Sequence, residues 1–222
     1  MSSAMSPSTA HPLAAVLTDA VAGVFPPADG SFDVVPPDPA GTHAVVELTA
    51  HSYVLTDRRA DDLRERGAHG FGGCTHPDVL RYLAGDDGWI GSLDVVLVAH
   101  GTGDVARMLR ESADLDEHPR VVRSRAHRRD VRVFAGDGGL VTIGRGLVDR
   151  WEVSVELDVG TSAGAGVGRV LIAAGLAAVP PQAPVWAQVA PGNAASLRAF
   201  LASGFVPIGS EVLVVPAAVG GG

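Results

Sequence analysis

The chain has 222 residues, 46% of them apolar and 19% charged, which is enough to bury a sizeable core and too apolar for wholesale disorder. Twenty-five acidic residues against 17 basic ones give a net charge of −8, which argues against a nucleic-acid partner, since such a domain needs a basic face. All the basic residues are arginine, so a Walker A lysine and a Schiff-base lysine are excluded; the single cysteine, Cys74, excludes an internal disulfide and a thiolate zinc cluster.

Residues 1–12 are rich in Ser, Pro and Ala, lack the cationic start and apolar run of a signal peptide, and read as a disordered tail. No stretch approaches the roughly 20 apolar residues of a membrane helix. A soluble, cytoplasmic protein without a membrane partner is expected. Residues 13–125 read as an N-terminal α/β segment. Two strand-like runs, 44–48 and 52–55, are followed by a charged helix over 57–66 with an Asp cap. A second helix spans 77–84, with Thr75 or His76 near its start. An apolar strand follows at 93–98, and a third helix is predicted over 104–112.

Residues 126–217 have the clearer grammar. Val131-Arg132-Val133-Phe134 and Leu140-Val141-Thr142-Ile143 flank Gly136-Asp137-Gly138-Gly139, which reads as a hairpin. In 151–159, Trp151, Val153, Val155, Leu157 and Val159 alternate with Glu152, Ser154, Glu156 and Asp158, the pattern of a half-buried strand. A Gly-rich segment, 160–168, leads into a helix ending at Pro180-Pro181. A strand at 184–189, a helix at 194–203 closed by Gly204 and a strand at 212–215 complete the chain, and 218–222 read as a flexible tail. The order of elements over 30–100 loosely echoes that over 130–215, as in a degenerate duplication. The expected fold is a mixed α/β (α+β) protein with a twisted sheet.

Three chemistries compete for the Gly-rich segment. Gly160-Thr161-Ser162-Ala163-Gly164 matches the G-x-S-x-G elbow, but no His follows it and the only later acid is Glu211, so Ser162 has no base. A dinucleotide fingerprint fails because its third glycine falls on Arg169 and the following strand carries no acid. Gly164, Gly166 and Gly168 with Arg169 at a helix start suit a third role, cradling a pyrophosphate on main-chain N–H groups. A flexible connector of small residues is the competing structural account.

Asn193, Ser196, Phe200 and Gly204-Phe205 resolve this choice, because their spacing resembles the closing motif of the GNAT superfamily of acyl-CoA-dependent N-acetyltransferases. Asn193 is the only Asn in the chain. The Gly-rich segment resembles the companion motif that holds the coenzyme A pyrophosphate. The resemblance spans about 130–215 and implies an acetyltransferase with acetyl-CoA as co-substrate, a small amine as acceptor and no metal; a homodimer is compatible with it. It further implies cofactor contacts from Leu157, Asp158, Val159, Gly164, Ala165, Gly166, Val167, Gly168, Arg169, Asn193, Ser196 and Phe200. Two positions depart from the family pattern. Ala163 stands where a Gln or Arg is usual, and Phe200 where a proton-donating Tyr is common. The departures motivate a rival, a non-catalytic acyl-CoA-binding or sensing protein.

Acyl transfer to an ammonium needs a base. Glu156 and then Glu152 are the candidates on the polar face of 151–159, where solvated side chains are the competing account. The acidic chain would steer a cationic acceptor such as an amino sugar or polyamine. Cys74 and His76 are too few for zinc and suit a buried thiol beside a helix cap. Gly70 to Gly73 beside Trp89 are a candidate acceptor wall. Arg120, Arg123, Arg125, Arg128, Arg129 and Arg132 could meet nucleic acid or the 3′-phosphate of coenzyme A, but read first as a solvated face paired with nearby acids.

Overall fold

The structure, a computed structural model, describes residues 10–104, 107, 109–161 and 166–217. Its strands are β1 (Phe32–Val35), β2 (His43–Leu48), β3 (His51–Leu55), β4 (Trp89–Ile90), β5 (Asp94–His100), β6 (Arg110–Glu111), β7 (Arg129–Gly136), β8 (Gly139–Arg145), β9 (Trp151–Leu157), β10 (Pro184–Val189) and β11 (Val206–Val215). Among the described residues they form one mixed sheet in the order β1-β3-β2-β11-β5-β10-β9-β8-β7-β6, with β4 on β11. The helices are α1 (Pro12–Val21), α2 (Ala60–Arg64), α3 (Pro77–Ala84), α4 (Pro119–His127), α5 (Val167–Ala177) and α6 (Ala194–Ala202). No helix of the described residues is long and apolar enough to cross a membrane.

The sheet joins the two halves of the chain, because β5 from the first half sits between β11 and β10 from the second. Alternation then sorts the core. Leu97, Ala99, Val153, Val185 and Ala187 pack with Leu171, Ile172 and Phe200 of α5 and α6. Their strand neighbours Val96, Val98 and Trp186 pack with Leu13, Leu17 and Ala20 of α1 on the other face. Val79 and Leu83 of α3 cover Val45, Val54 and Val212. Close approach of α5 to the sheet needs Gly175. A Cβ there would stand 2.8 Å from Val153 and 3.0 Å from Val141.

Several elements differ from the sequence expectation. α1 begins at Pro12 with the His11 ring accepting from Leu13 N–H, so order starts inside the segment read as a tail. The helix expected over 57–66 is only Ala60–Arg64, its N-cap is Arg59 and no side chain caps it. Over 104–112 the described residues include no α-helix: Arg107 lies in a 3₁₀ turn, its N–H bonded to Asp104 O, and Arg110–Glu111 forms a short strand on β7; residues 105, 106 and 108 lie outside the described set. The Arg run hides α4, whose N-cap is His118. The last strand begins at Val206 rather than 212, its early part masked in the sequence by Pro207 and Gly209 at a register shift.

Candidate active site

β9 and β10 run parallel but pair only at Trp151↔Val185 and Glu152↔Trp186. Beyond these residues they part. On its other edge β9 stays zipped to β8 from Arg145↔Trp151 to Gly139↔Leu157. Asp158 N–H donates to Gly138 O, so by antiparallel alternation the main-chain groups of Glu156 and Ser154 face β8. Those of Leu157, Val155 and Val153 face the opening. A cleft of about 1080 Å³ occupies it, lined by both strands and by the starts of α5 and α6.

The sequence accounts for each wall. Gly166 is the N-cap of α5 with φ +83°, a left-handed conformation that a side chain resists. Gly168 lies in the first turn, and a Cβ there would meet nothing nearer than Ala199 Cβ at 3.9 Å, so the main chain stands open to the cleft. Arg169 Nη2 is 3.7 Å from the position of a Gly166 Cβ. A helix start, a bare backbone and a guanidinium therefore meet at one end, an arrangement that fits a pyrophosphate. At α6, Asn193 Oδ1 accepts from Ser196 N–H at 3.1 Å, so its carbonyl caps the helix and its amide N–H₂ remains for a ligand. Phe200 is buried edge-on to Phe205, with centroids 4.9 Å apart, and contributes surface but no proton.

Of the residues expected at the site, Leu157, Gly166, Gly168, Arg169, Asn193, Ser196, Phe200 and Glu156 line this cleft. Asp158 and Val159 do not. Val159 is fully exposed beyond the end of β9, and Asp158 N–H is spent on Gly138. Val167 packs against the core below α5. Gly164 and Ala165, with Ser162 and Ala163, lie outside the described residues.

The two candidate bases part company. Glu156 lines the cleft, half exposed. Its Oε2 accepts from Arg120 Nε at 2.8 Å and from Nη2, while Oε1 takes no hydrogen bond among the described residues. Glu152 is buried below it, and both oxygens are engaged: Arg150 Nε and Arg128 Nε each donate at 2.8 Å. Burial alone would raise its pKa, but the two guanidinium groups outweigh burial and hold it below the usual carboxylate value. A group held ionised in this way takes up a proton poorly, and Glu152 does not line the large cleft. Of the two expected bases, the structure thus sets Glu156 on the cleft and Glu152 in a buried ion chain.

Glu152 belongs to a buried chain of charges. Arg150 donates from Nη2 to Glu211 at 2.6 and 2.7 Å, and Arg128 continues from Glu152 to Ser154 Oγ at 2.7 Å and Gln188 Oε1 at 3.2 Å. The chain ties β11, β9 and β10 together below the opening. Gln188 Nε2 has no partner among the described residues.

Beside this chain lies a smaller pocket of about 110 Å³ that shares Ser92, Asp94, Arg120, Arg123, Ser154 and Gln188 with the cleft. Trp89 stacks on His127 at its rim, with centroids 5.1 Å apart. Burial, helped by Arg123 and Arg128, lowers the His127 pKa, and burial raises that of Asp94. Sequence reasoning named Trp89 and the arginines in other settings and missed Asp94 and His127. The available signal was the spacing of Arg120, Arg123, Ser124 and His127, which falls on one face of a helix. The rest of the run is paired as expected, Arg125 with Asp116, Arg129 with Asp149 and Arg132 with Glu111.

Gly70 to Gly73 take no part in the pocket. Gly70 N–H donates to Gly30 O, and a Cβ on Gly70 would strike Ser31 and Ala50, far along the sheet from Trp89. The buried Cys74 thiol is pushed up to about 11 by burial, which leaves it inert as a nucleophile. Among the described residues no group of three or more potential metal ligands converges.

No protein-family model and no curated protein sequence matches the chain. It is similar to solved structures of acetyltransferases. One is a putative acetyltransferase from the GNAT family from Novosphingobium aromaticivorans (14% identity, TM-score 0.41, covering 61% of this chain and 70% of that one). Another is a GNAT-family acetyltransferase from Colwellia psychrerythraea (11%, 0.36, 58% and 57%). A third is a GCN5-related N-acetyltransferase from Kribbella flavida (15%, 0.37, 65% and 63%).

Proposed function

We propose that the chain is an acyl-CoA-dependent N-acyltransferase that moves an acetyl group from acetyl-CoA to a small amine. The observation that carries this is the parting of β9 from β10 after two paired residues, with helix starts on one side of the opening and a carboxylate on the other. Acetyl-CoA supplies the acyl group as an activated thioester. The first turn of α5 and Arg169 receive the pyrophosphate, and the Asn193 amide donates to the extended arm. N–H groups of Val155 or Leu157, unpaired on the open edge, donate to the thioester oxygen as it gains charge.

Glu156 Oε1 takes one proton from the acceptor ammonium, freeing the nitrogen lone pair to attack. One N–C bond forms and one C–S bond breaks. The attacking nitrogen then sheds its second proton, through water, to the departing thiolate, since Phe200 has none to offer. Calorimetric titration with coenzyme A, followed by a thiol-release assay over an amine panel, tests the proposal. Saturable binding and turnover are expected, and absence of coenzyme A binding overturns it. The second reading, a non-catalytic acyl-CoA-binding protein, is favoured by the buried Phe200 and by the Arg120 clasp on Glu156. Tight binding without turnover on any amine supports that account instead.

A further inference from the structure

The charge arrangement of the small pocket points to the class of acceptor, an inference that rests on the acyl-transfer reading. Asp94, Arg120, Arg123, Arg128, Glu152 and Glu211 line it. Glu156 and Arg150 complete the local set of four acids and four arginines. Arg120 is neutralised by Glu156, Arg128 by Glu152 and Arg150 by Glu211, with Arg150 also bonded to Glu152. Two opposite charges are left over. Asp94 and Arg123 make no ion pair within 4.0 Å among the described residues, although the Arg123 charge acts on Asp94 from farther off, and both line the pocket and the cleft. Asp94 Oδ1 accepts from Ser92 Oγ at 2.9 Å, which leaves Oδ2 unspent. The Arg123 guanidinium lies 5.9 Å from the Trp89 ring centroid, at the rim.

We propose that the acceptor is a small zwitterion of the amino-acid kind, its ammonium held by Asp94 at the mouth of the strand opening and its carboxylate held by Arg123. A plain amine would satisfy Asp94 and leave Arg123 without a counter-charge, and a polyamine would set a second cation against Arg120 and Arg123. A molecule carrying both charges a few bonds apart neutralises both residues. Burial, which disfavours the ionised Asp94, also makes an ammonium neighbour more valuable there. The volume, about 110 Å³, holds three to four waters at roughly 30 Å³ each and so suits a head group with a short side chain. Net charge over the whole chain pointed toward cations, but the excess acid lies elsewhere, since the local set sums to zero.

The test compares glycine, L-alanine and L-serine with their methyl esters, which keep the ammonium and lose the carboxylate. Acetyl transfer is followed by thiol release and product mass, and binding to the intact protein by calorimetry with and without coenzyme A. Free amino acids are expected to exceed their esters by roughly ten- to a hundredfold in kcat/KM and in affinity, the range of a hydrogen-bonded charge contact. Arg123→Gln should erase that preference, so that the ratio of free acid to ester falls to about one. Asp94→Asn should weaken both sets. Esters that equal or exceed the free acids, or a preference that survives Arg123→Gln, overturn the proposal. Failure of the acyl-transfer reading has a separate signature, no coenzyme A binding. The amino acid against ester comparison by calorimetry still decides the acceptor class in that event.

Discussion

The two sides of β10 contrast sharply. Toward the N-terminal half it pairs with β5 from Pro184↔His100 to Val189↔Val95, and the ladder continues through β11, with one register shift at Pro207 and Gly209, to β2 and β3. Toward the C-terminal half it releases β9 after two residues. The zipped region spends its polar groups on itself. His51, for example, is bracketed by Asp29 at 3.0 Å and Asp33 at 3.2 Å, and Cys74 is sealed beneath α3. The open region leaves main-chain N–H groups, a helix start and one carboxylate oxygen unspent. Binding chemistry resides where hydrogen-bonding capacity is left over, since a satisfied ladder offers a ligand nothing.

The largest expected effect tests the open side directly. Glu156→Gln should lower turnover by roughly 10²–10⁴ while leaving coenzyme A affinity nearly intact, because it removes proton transfer and not binding. Raising the pH should partly restore the rate, since more of the acceptor is then free amine without help from a base. Steady-state kinetics across pH, paired with calorimetry, measure both terms. Full turnover at neutral pH would move the base to Asp94.

The sequence made the open side more legible than the closed one. Alternation over Trp151 to Leu157, the Gly-rich turn and Asn193 before its helix are local signals, and local signals survive without a structure. The insertion of β5 between β11 and β10 is a long-range pairing that no window of sequence contains. The same limit hid the small pocket, which draws Trp89 and Asp94 from one half and Ser154 and Gln188 from the other. The burial of Glu152 was hidden for a related reason. Strand alternation predicts a polar face, but only tertiary contact with Arg128 and Arg150 turns that face into a buried ion chain.

The next effect separates buried from exposed charge. Arg150→Met leaves Glu152 and Glu211, 5% and 2% exposed, without their shared cation. A loss of about 3–5 kcal/mol is expected. At 2–4 °C per kcal/mol for a chain of this size, the melting temperature should fall by roughly 6–20 °C in a calorimetric scan. Adding Glu152→Gln and Glu211→Gln should recover much of it. In the zipped half, Arg64→Met breaks an exposed pair with Asp61 and should shift stability by under about 1 kcal/mol. Equal effects at the two sites would mean that the chain below the opening is hydrated.

Two glycines of α5 sharpen the comparison further. Gly175→Ala forces a Cβ to 2.8 Å from Val153 and should cost roughly 1–3 kcal/mol by overpacking. Gly168→Ala meets open space and should gain up to about 1 kcal/mol from helix propensity. Its effect should fall on the ligand. Coenzyme A affinity is expected to drop while the melting temperature holds or rises. Unchanged affinity in Gly168→Ala would remove the first turn of α5 from the pyrophosphate site.

The smallest effect belongs to Asn193, where two roles share one side chain. Its carbonyl caps α6 through Ser196 N–H, and its amide is free to donate into the cleft. Asn193→Ala removes both. It should destabilise by about 1 kcal/mol, or 2–4 °C, and weaken coenzyme A by roughly tenfold at most, the value of one neutral hydrogen bond. Asn193→Ser separates the roles, because a serine hydroxyl caps as well as an Asn carbonyl but does not extend an amide toward the ligand. Thermal stability should therefore return to within a few tenths of a kcal/mol of the parent, while the deficit in affinity persists. If affinity returns together with stability, Asn193 serves the site only by fixing where α6 begins, and the helix start itself is what meets the extended arm.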